Sequence, residues 1–399
     1  MELTSKEKQM LDGQDGRASK KAMEILVTLG KIYGAESMVP VSSVQVAGVS
    51  YANLGEAGLN YLTEIADGGG RTKVLTTLNP AGMDIENWKA LNISDEFARN
   101  QKRVIDAYER MNIITTCSCT PYLIGNLPHF GEHIAWSESS AVCYANSVIG
   151  ARTNREGGPS ALAAALTGVT PFYGYHLDQN RIPTVIVDVE TELLGNHEFG
   201  ALGKALGQKF ESIGHKAIPY IRGIRNGGLE NLKSFCASIA TYGGTSLAHI
   251  QDITPEARQM PLPAEVIKIT RKEIEAAFRD MTSATSDEID FVSIGCPHLS
   301  IKEIARIAEL LKDKKVRKEF WITTARLTKN TADIMGYTKI IEDSGAKIAA
   351  DTCCVVAPIK GRFHALATDS AKACYYGFAR NNFLTIIKPF DEVVYEALK

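Results

Sequence analysis

Long apolar runs are missing from this 399-residue chain. No stretch of about 18 to 20 uninterrupted apolar residues occurs, and the start Met1-Glu-Leu-Thr-Ser-Lys-Glu-Lys8 is polar and charged, without the apolar core of a signal peptide. Neither a transmembrane helix nor a secretory leader is expected, and the cytoplasm is the expected compartment. Net charge is nearly absent too: 44 Lys and Arg stand against 46 Asp and Glu, mixed along the sequence. That balance argues against a general binder of nucleic acid or anionic membrane, while leaving room for a local basic pocket. Cysteine is scarce. Eight residues are too few for a disulfide scaffold, and none forms a Cys-x-x-Cys pair, so the usual structural zinc spacing is absent. Glu132 and His133 do not belong to a His-Glu-x-x-His zinc-protease motif. Internal repeats and low-complexity tracts are likewise missing.

What is present is the composition of an enzyme, with 45% hydrophobic residues to fill substantial cores. Apolar runs and amphipathic stretches alternate: helix over 20–32, strand over 40–47, helix over 54–65, strand over 73–78 and a charged helix over 96–111. Further strands are expected over 184–189, 217–221, 321–324 and 347–350, and helices over 229–242 and 301–311. This βαβα order implies parallel sheets with helical crossovers in a multi-lobed α/β body. Residues 252–263 and 281–287 are the linker candidates, giving N-terminal lobes over 1–255 and a C-terminal α/β lobe over 265–399.

Three segments end alike, an apolar β-rich run delivering cysteine into a polar turn before a helix-forming stretch. They are Ile113-Ile-Thr-Thr-Cys117-Ser-Cys119, Phe291-Val-Ser-Ile-Gly-Cys296-Pro-His298 and Ile348-Ala-Ala-Asp-Thr-Cys353-Cys354. Open α/β sheets bind ligands beyond the carboxyl ends of their strands, so three thiols from distant parts of the chain can meet at one point. Three converging thiolates make an iron site with one coordination position open. Cys143 and Cys236 lie in expected helices among apolar neighbours and read as packing residues, as does Cys374.

Two further strand ends have the chemistry to hold an anion. Gly48-Val49-Ser50 precedes a helix whose free amides favour carboxylate or phosphate, and Asn79-Pro80-Ala-Gly82 follows the next strand. Each also serves as a simple turn. The densest polar stretch runs from Cys119 to Gly168, where Arg152, Asn154 and Arg155 either orient a carboxylate or pair structurally with Glu138 or Glu156.

At these residues the sequence resembles the large subunit of aconitase X, a branch of the aconitase superfamily. The match is carried by Cys-Thr-Pro-Tyr at 119–122, Gly-Glu-His-Ile-Ala-Trp-Ser-Glu-Ser-Ser-Ala-Val at 131–142 and Gly-Ala-Arg-Thr-Asn-Arg-Glu-Gly-Gly-Pro at 150–159. Gly-Cys-Pro-His at 295–298 and Asp-Thr-Cys at 351–353 complete it, so that it spans essentially the whole chain. The resemblance implies an aconitase-like fold, a hydro-lyase that dehydrates a small hydroxy acid, and an iron-sulfur centre, [4Fe-4S] or smaller, or a mononuclear iron, with one cysteine from each segment as ligand. Cys119 precedes the Thr-Pro-Tyr of the family pattern and is preferred to Cys117; Cys296 has no competitor; Asp-Thr-Cys points to Cys353, with Cys354 the alternative.

Two branches of the family are relevant, one dehydrating 5-phosphomevalonate to trans-anhydromevalonate 5-phosphate in archaeal isoprenoid synthesis, the other dehydrating cis-3-hydroxy-L-proline. The chain looks like the archaeal branch. Gly48, Val49, Ser50, Asn79 and Pro80 would then contact substrate, and Lys372 is a further charge partner or a solvated lysine. The superfamily's base resembles a serine on a swivelling domain, and a chain ending at Lys399 is expected to take it from a small second subunit. If the chain acted alone, Ser50, Ser137, Ser139 and Ser140 would be the serines to test. An iron-binding regulatory protein without turnover is the reading outside enzymology.

Overall fold

The computed structural model describes residues 1–213 and 217–399, and among them three parallel sheets carry the architecture. The first has the order Leu75–Leu78, Ser43–Val46, Ala135–Trp136. The second has the order His249–Ile250, Pro219–Arg222, Val185–Val189, Val266–Ile269. Lys347–Ala350, Glu319–Thr324, Phe291–Leu299, Ala365–Thr368 and Leu384–Ile387 form the third. The strand Val266–Ile269, on the C-terminal side of the border expected from sequence, hydrogen-bonds to Val185–Val189.

Parallel strands need long crossovers, and helices supply them. Ile301–Leu311 shows how local sequence suffices for one of these. Ser300 Oγ accepts from Glu303 N at 3.3 Å while Glu303 Oε2 accepts from Ser300 N at 2.9 Å, a reciprocal cap. Ile304, Ile307, Ala308 and Leu311 then recur at helical spacing and are buried in one core with Val292, Ile294, Phe320 and Ile322. Each large side chain buried this way contributes about 1.5–3 kcal/mol.

Elsewhere the expectations need correcting. The stretch expected as one strand over 40–47 divides: Met38–Pro40 pairs antiparallel with Val169–Pro171, and Ser43–Val46 enters the first sheet. The run leading to Cys117 is not a regular strand. Asn112 and Cys117 adopt left-handed backbone (φ 62° and 42°), which breaks the pleat, and the segment hangs on the sheet edge through Ile114 N to Thr76 O and Ser118 N to Leu78 O, both 2.9 Å. The third cysteine segment leads into turns, and the next helix is Ala371–Asn381. The helix Tyr51–Asp67 begins earlier than expected and is kinked at Gly55, whose φ of 60° only glycine adopts freely.

The lobes share cores. One cluster joins Met83, Leu91, Ile93 and Ala98 of the N-terminal part to Phe291, Trp321, Cys353, Cys354 and Phe383 of the third sheet. Near the C-terminus, the fully buried carboxylate of Glu396 receives Lys388 at 2.6 Å, Lys318 at 2.9 Å and Lys399 at 3.0 Å. Burial alone would raise its pKa, but the three lysines hold it at about 2. Glu396→Gln should therefore destabilise the chain by about 3 kcal/mol, since two of the lysines are left mostly buried without a counter-charge. Because the folded value lies below the ordinary 4.5, this contribution is complete above pH 4.5 and fades as pH falls toward 2. Urea unfolding of both proteins across that range is the check, with the difference between them shrinking in acid.

Candidate active site

Irregular segments beyond the first and third sheets, and the interrupted pairing between Ile294 and Leu299 within the strand Phe291–Leu299, bring the cysteines together. Cys119, Cys353 and Cys354 are buried and Cys296 is half-buried. The Cys119 thiol is pushed up to about 12 by burial, then by the charges of Glu138 and Cys353, with Lys372 and the His298 amide pulling the other way. Cys296 is raised by burial and by neighbouring Cys353, and Lys372 again opposes. Cys353 is raised by burial and held back by two backbone amides and by Lys372. Cys119, Cys296 and Cys353 therefore share one electrostatic neighbourhood centred on Lys372.

The alternative thiols face other partners. Cys117 senses Asp351 and Arg326, and Cys354 is hydrogen-bonded to Ser293 while lying beside Cys353. Cys143 and Cys236 neighbour each other in a separate core.

Glu138 and Lys372 form the ionic centre of the cleft. Lys372 stands in the first turn of Ala371–Asn381, a position the helix dipole disfavours for a cation, and its Nζ is paired with Glu138 Oε1. Burial works against both charges, yet the pair lowers Glu138 to about 2 and raises Lys372 above its ordinary value. Asn79 Nδ2 donates to Glu138 Oε2 at 2.8 Å, and its buried Oδ1 has no hydrogen-bond partner among the described residues. Ser139 Oγ and Ser140 Oγ donate to Glu138 Oε1 at 3.3 and 3.0 Å.

The two loops expected from sequence to hold an anion are stitched together by Gln101, a fully buried residue with no distinguishing sequence signal. Its Oε1 accepts from the amides of Tyr51 and Gly82, both at 3.0 Å, and its Nε2 donates to Val49 O at 3.0 Å. Ser50 Oγ donates to Val356 O at 3.0 Å, and Ala81 N donates to Asp351 O at 2.8 Å, so both loops are tied to the third cysteine segment. The helix-terminus argument for loop 48–50 is weaker than its sequence suggested, because Gln101 occupies the Tyr51 amide and the helix bends at Gly55.

A narrow crevice beside Cys296 is lined by Lys233, Glu303, Asp369 and Ser370. Lys233 Nζ pairs with Glu303 Oε2 at 2.5 Å. The carboxyl of Asp369 is raised to about 7 by burial and by the charge of Glu303. Lys233, Glu303 and Asp369 were not singled out from sequence, since Lys233 and Glu303 meet from opposite ends of 70 residues.

Arg152 and Asn154 are committed elsewhere. Arg152 pairs with Asp178 and lies 4.0 Å from Glu256, and Asn154 holds the Tyr173 carbonyl and Tyr175 amide at 3.0 and 2.9 Å. Arg155 is exposed. His133 Nδ1 meets His176 Nδ1 at 2.9 Å. A recess of about 500 Å³ at the ends of Val185–Val189 and Pro219–Arg222, lined by Glu190, Thr191, Arg225 and Asn226, contains no thiol.

Two buried thiols and a half-buried one in one place are poor thiolates unless positive charge is brought in, and Lys372 is already committed to Glu138. Metal ions fit that donor set. Among the described residues no three His, Cys, Asp or Glu side chains are grouped as ligands of a single ion.

Parallel sheets whose irregular ends deliver thiols, a buried ion pair and two linked loops to one cleft define a multi-lobed α/β protein of the aconitase class. Profiles described as the aconitase X first, second and third domains match residues 1–179, 183–279 and 289–399. The phosphomevalonate dehydratase large subunit of Methanocaldococcus jannaschii is 46% identical over 383 residues, covering 94% of this chain and 95% of the relative. The cis-3-hydroxy-L-proline dehydratase of Hypocrea jecorina is 30% identical over 394 residues, covering 94% of this chain but 65% of the relative. The crystal structure of Thermococcus kodakaraensis aconitase X in its holo-form superposes with a TM-score of 0.93 at 42% identity, each chain covered in full. The chain belongs to the aconitase X family. No helix among the described residues is long and apolar enough to cross a membrane.

Proposed function

We propose that this chain is the large subunit of a hydro-lyase that converts (R)-5-phosphomevalonate to trans-anhydromevalonate 5-phosphate. The observation that carries the reading is the single electrostatic neighbourhood of Cys119, Cys296, Cys353 and the Glu138–Lys372 pair, with Asn79 bonded to Glu138. It stands in a chain more similar to the phosphomevalonate dehydratase large subunit than to the hydroxyproline enzyme.

In this reading Cys119, Cys296 and Cys353 hold an iron-sulfur cluster, [4Fe-4S], with Cys354 outside it. When bound, the cluster supplies a Lewis acid for a hydroxyl that is otherwise a poor leaving group. The reaction removes a proton from the carbon next to the carboxylate and hydroxide from the following carbon, with no net redox change. Gly48, Val49, Ser50, Asn79 and Pro80 line the substrate, held in register by Gln101. Lys372 offers positive charge to an anionic group, and Glu138 fixes its ammonium. A small subunit closes the cleft, excludes water and brings the serine that takes the proton.

Competitive turnover by the anaerobically reconstituted complex tests the assignment. With both compounds present, phosphomevalonate should be consumed and hydroxyproline left. Preference for cis-3-hydroxy-L-proline would sink the mevalonate assignment while leaving the dehydratase class intact.

A further inference from the structure

We infer that His298 is a positioning residue whose imidazole sets the spacing of the three cysteine segments. The inference rests on the reading that Cys119, Cys296 and Cys353 hold metal. His298 is fully buried, two residues beyond Cys296. Its Nε2 lies 2.9 Å from the carbonyl of Thr352, the residue before Cys353, and its Nδ1 lies 3.2 Å from Ser118 Oγ, the residue before Cys119. Its own amide donates to Cys119 Sγ at 3.2 Å, and its carbonyl accepts from Lys233 Nζ at 3.0 Å. One residue of the second segment thus grips the first and third.

The partners fix the ring's protons. A carbonyl only accepts, so Nε2 carries the hydrogen toward Thr352, and Nδ1 of the neutral ring accepts from the Ser118 hydroxyl. Ser118 Oγ in turn accepts from Thr120 N at 3.2 Å and lies 3.1 Å from Thr120 Oγ1. Both ring nitrogens are occupied by protein, which leaves His298 as a clasp between the cysteine segments and not a metal ligand. The segments need one: the run to Cys119 is irregular, and the third segment turns through Asp351 at φ 65°.

The test compares His298→Ala, His298→Gln, Ser118→Ala and the double alanine variant in anaerobically iron-loaded protein. Iron release to a chelator and the electron paramagnetic resonance spectrum are recorded beside thermal unfolding of the metal-free chains. Loss of a partner that orients metal ligands costs about 10- to 100-fold in metal retention, so His298→Ala should release iron faster by that factor with a changed spectrum. Ser118→Ala should move the same way by less, the double variant should match His298→Ala, and His298→Gln, whose amide can reach Thr352, should fall between wild type and alanine. Wild-type release and spectrum in His298→Ala would overturn the inference, as would equal acceleration in Cys236→Ala, a buried replacement in another core. If His298→Ala does not fold, Ser118→Ala decides: faster release at an unchanged unfolding temperature supports the clasp, and wild-type release overturns it. Failure of the wild-type chain to take up iron would defeat the parent reading instead.

Discussion

Alanine at Cys119, Cys296 or Cys353 is expected to lower turnover by at least about 10³-fold, because a Lewis acid stabilises the transition state by several kcal/mol and each 1.4 kcal/mol is a factor of ten. The three thiols act as one unit, so any double variant should be no worse than the single ones. They also share their surroundings, each being influenced by Lys372 and by at least one of the group Cys119, Cys353 and Glu138. Cys143→Ala and Cys236→Ala remove buried thiols that neighbour each other in a different core, and those variants should remain active. Initial rates with the partner present, on variants whose circular dichroism matches wild type, give the comparison. Loss confined to Cys354→Ala would move the third ligand by one residue.

The isolated chain is expected to be about 10²–10⁴-fold less active than its complex with a small subunit, the usual worth of a positioned proton acceptor. The serines inside the cleft support this. Ser50 Oγ donates to the Val356 carbonyl, Ser137 Oγ to the Gly157 carbonyl, and Ser139 and Ser140 to the Glu138 carboxylate. A hydroxyl committed to a backbone carbonyl, or to a carboxylate that Lys372 holds at about 2 and so makes a weak base, is badly placed to take a proton from carbon. Adding the small subunit should restore turnover, and alanine at that subunit's serine should abolish it while the complex still forms. Full activity from this chain alone would place the base among Ser50, Ser137, Ser139 and Ser140.

Much of the fold was legible because its signals are local. The helix Ile301–Leu311 announces itself by Ser300, Glu303 and its apolar spacing, and the run from Phe291 to Leu299 forms one strand of a parallel sheet. Strands of two residues, Ala135–Trp136 and His249–Ile250, are too short to show a period. The irregular path to Cys119 looked like a strand because its residues favour one, but left-handed backbone at Asn112 and Cys117 overrides that preference. At the site, cysteine, Asn79 and Lys372 stood out by residue type and position. Gln101, Asp369 and His298 did not, since each takes its meaning from groups elsewhere in the chain, as when Gln101 joins the amides of Tyr51 and Gly82. For Arg152 and Asn154 the structural alternative holds, but with Asp178, Tyr173 and Tyr175 in place of Glu138 or Glu156, partners that motif spacing does not show.

Iron bound per chain in Cys296→Ala, measured after anaerobic reconstitution beside wild type and Cys236→Ala, tests the central claim most directly. Cys296 is the one thiol of the set with no neighbouring substitute in sequence. The account predicts that Cys236→Ala loads iron as wild type does, whereas Cys296→Ala retains little and lacks the wild-type absorption in the visible range. Wild-type iron loading and absorption in Cys296→Ala would contradict it.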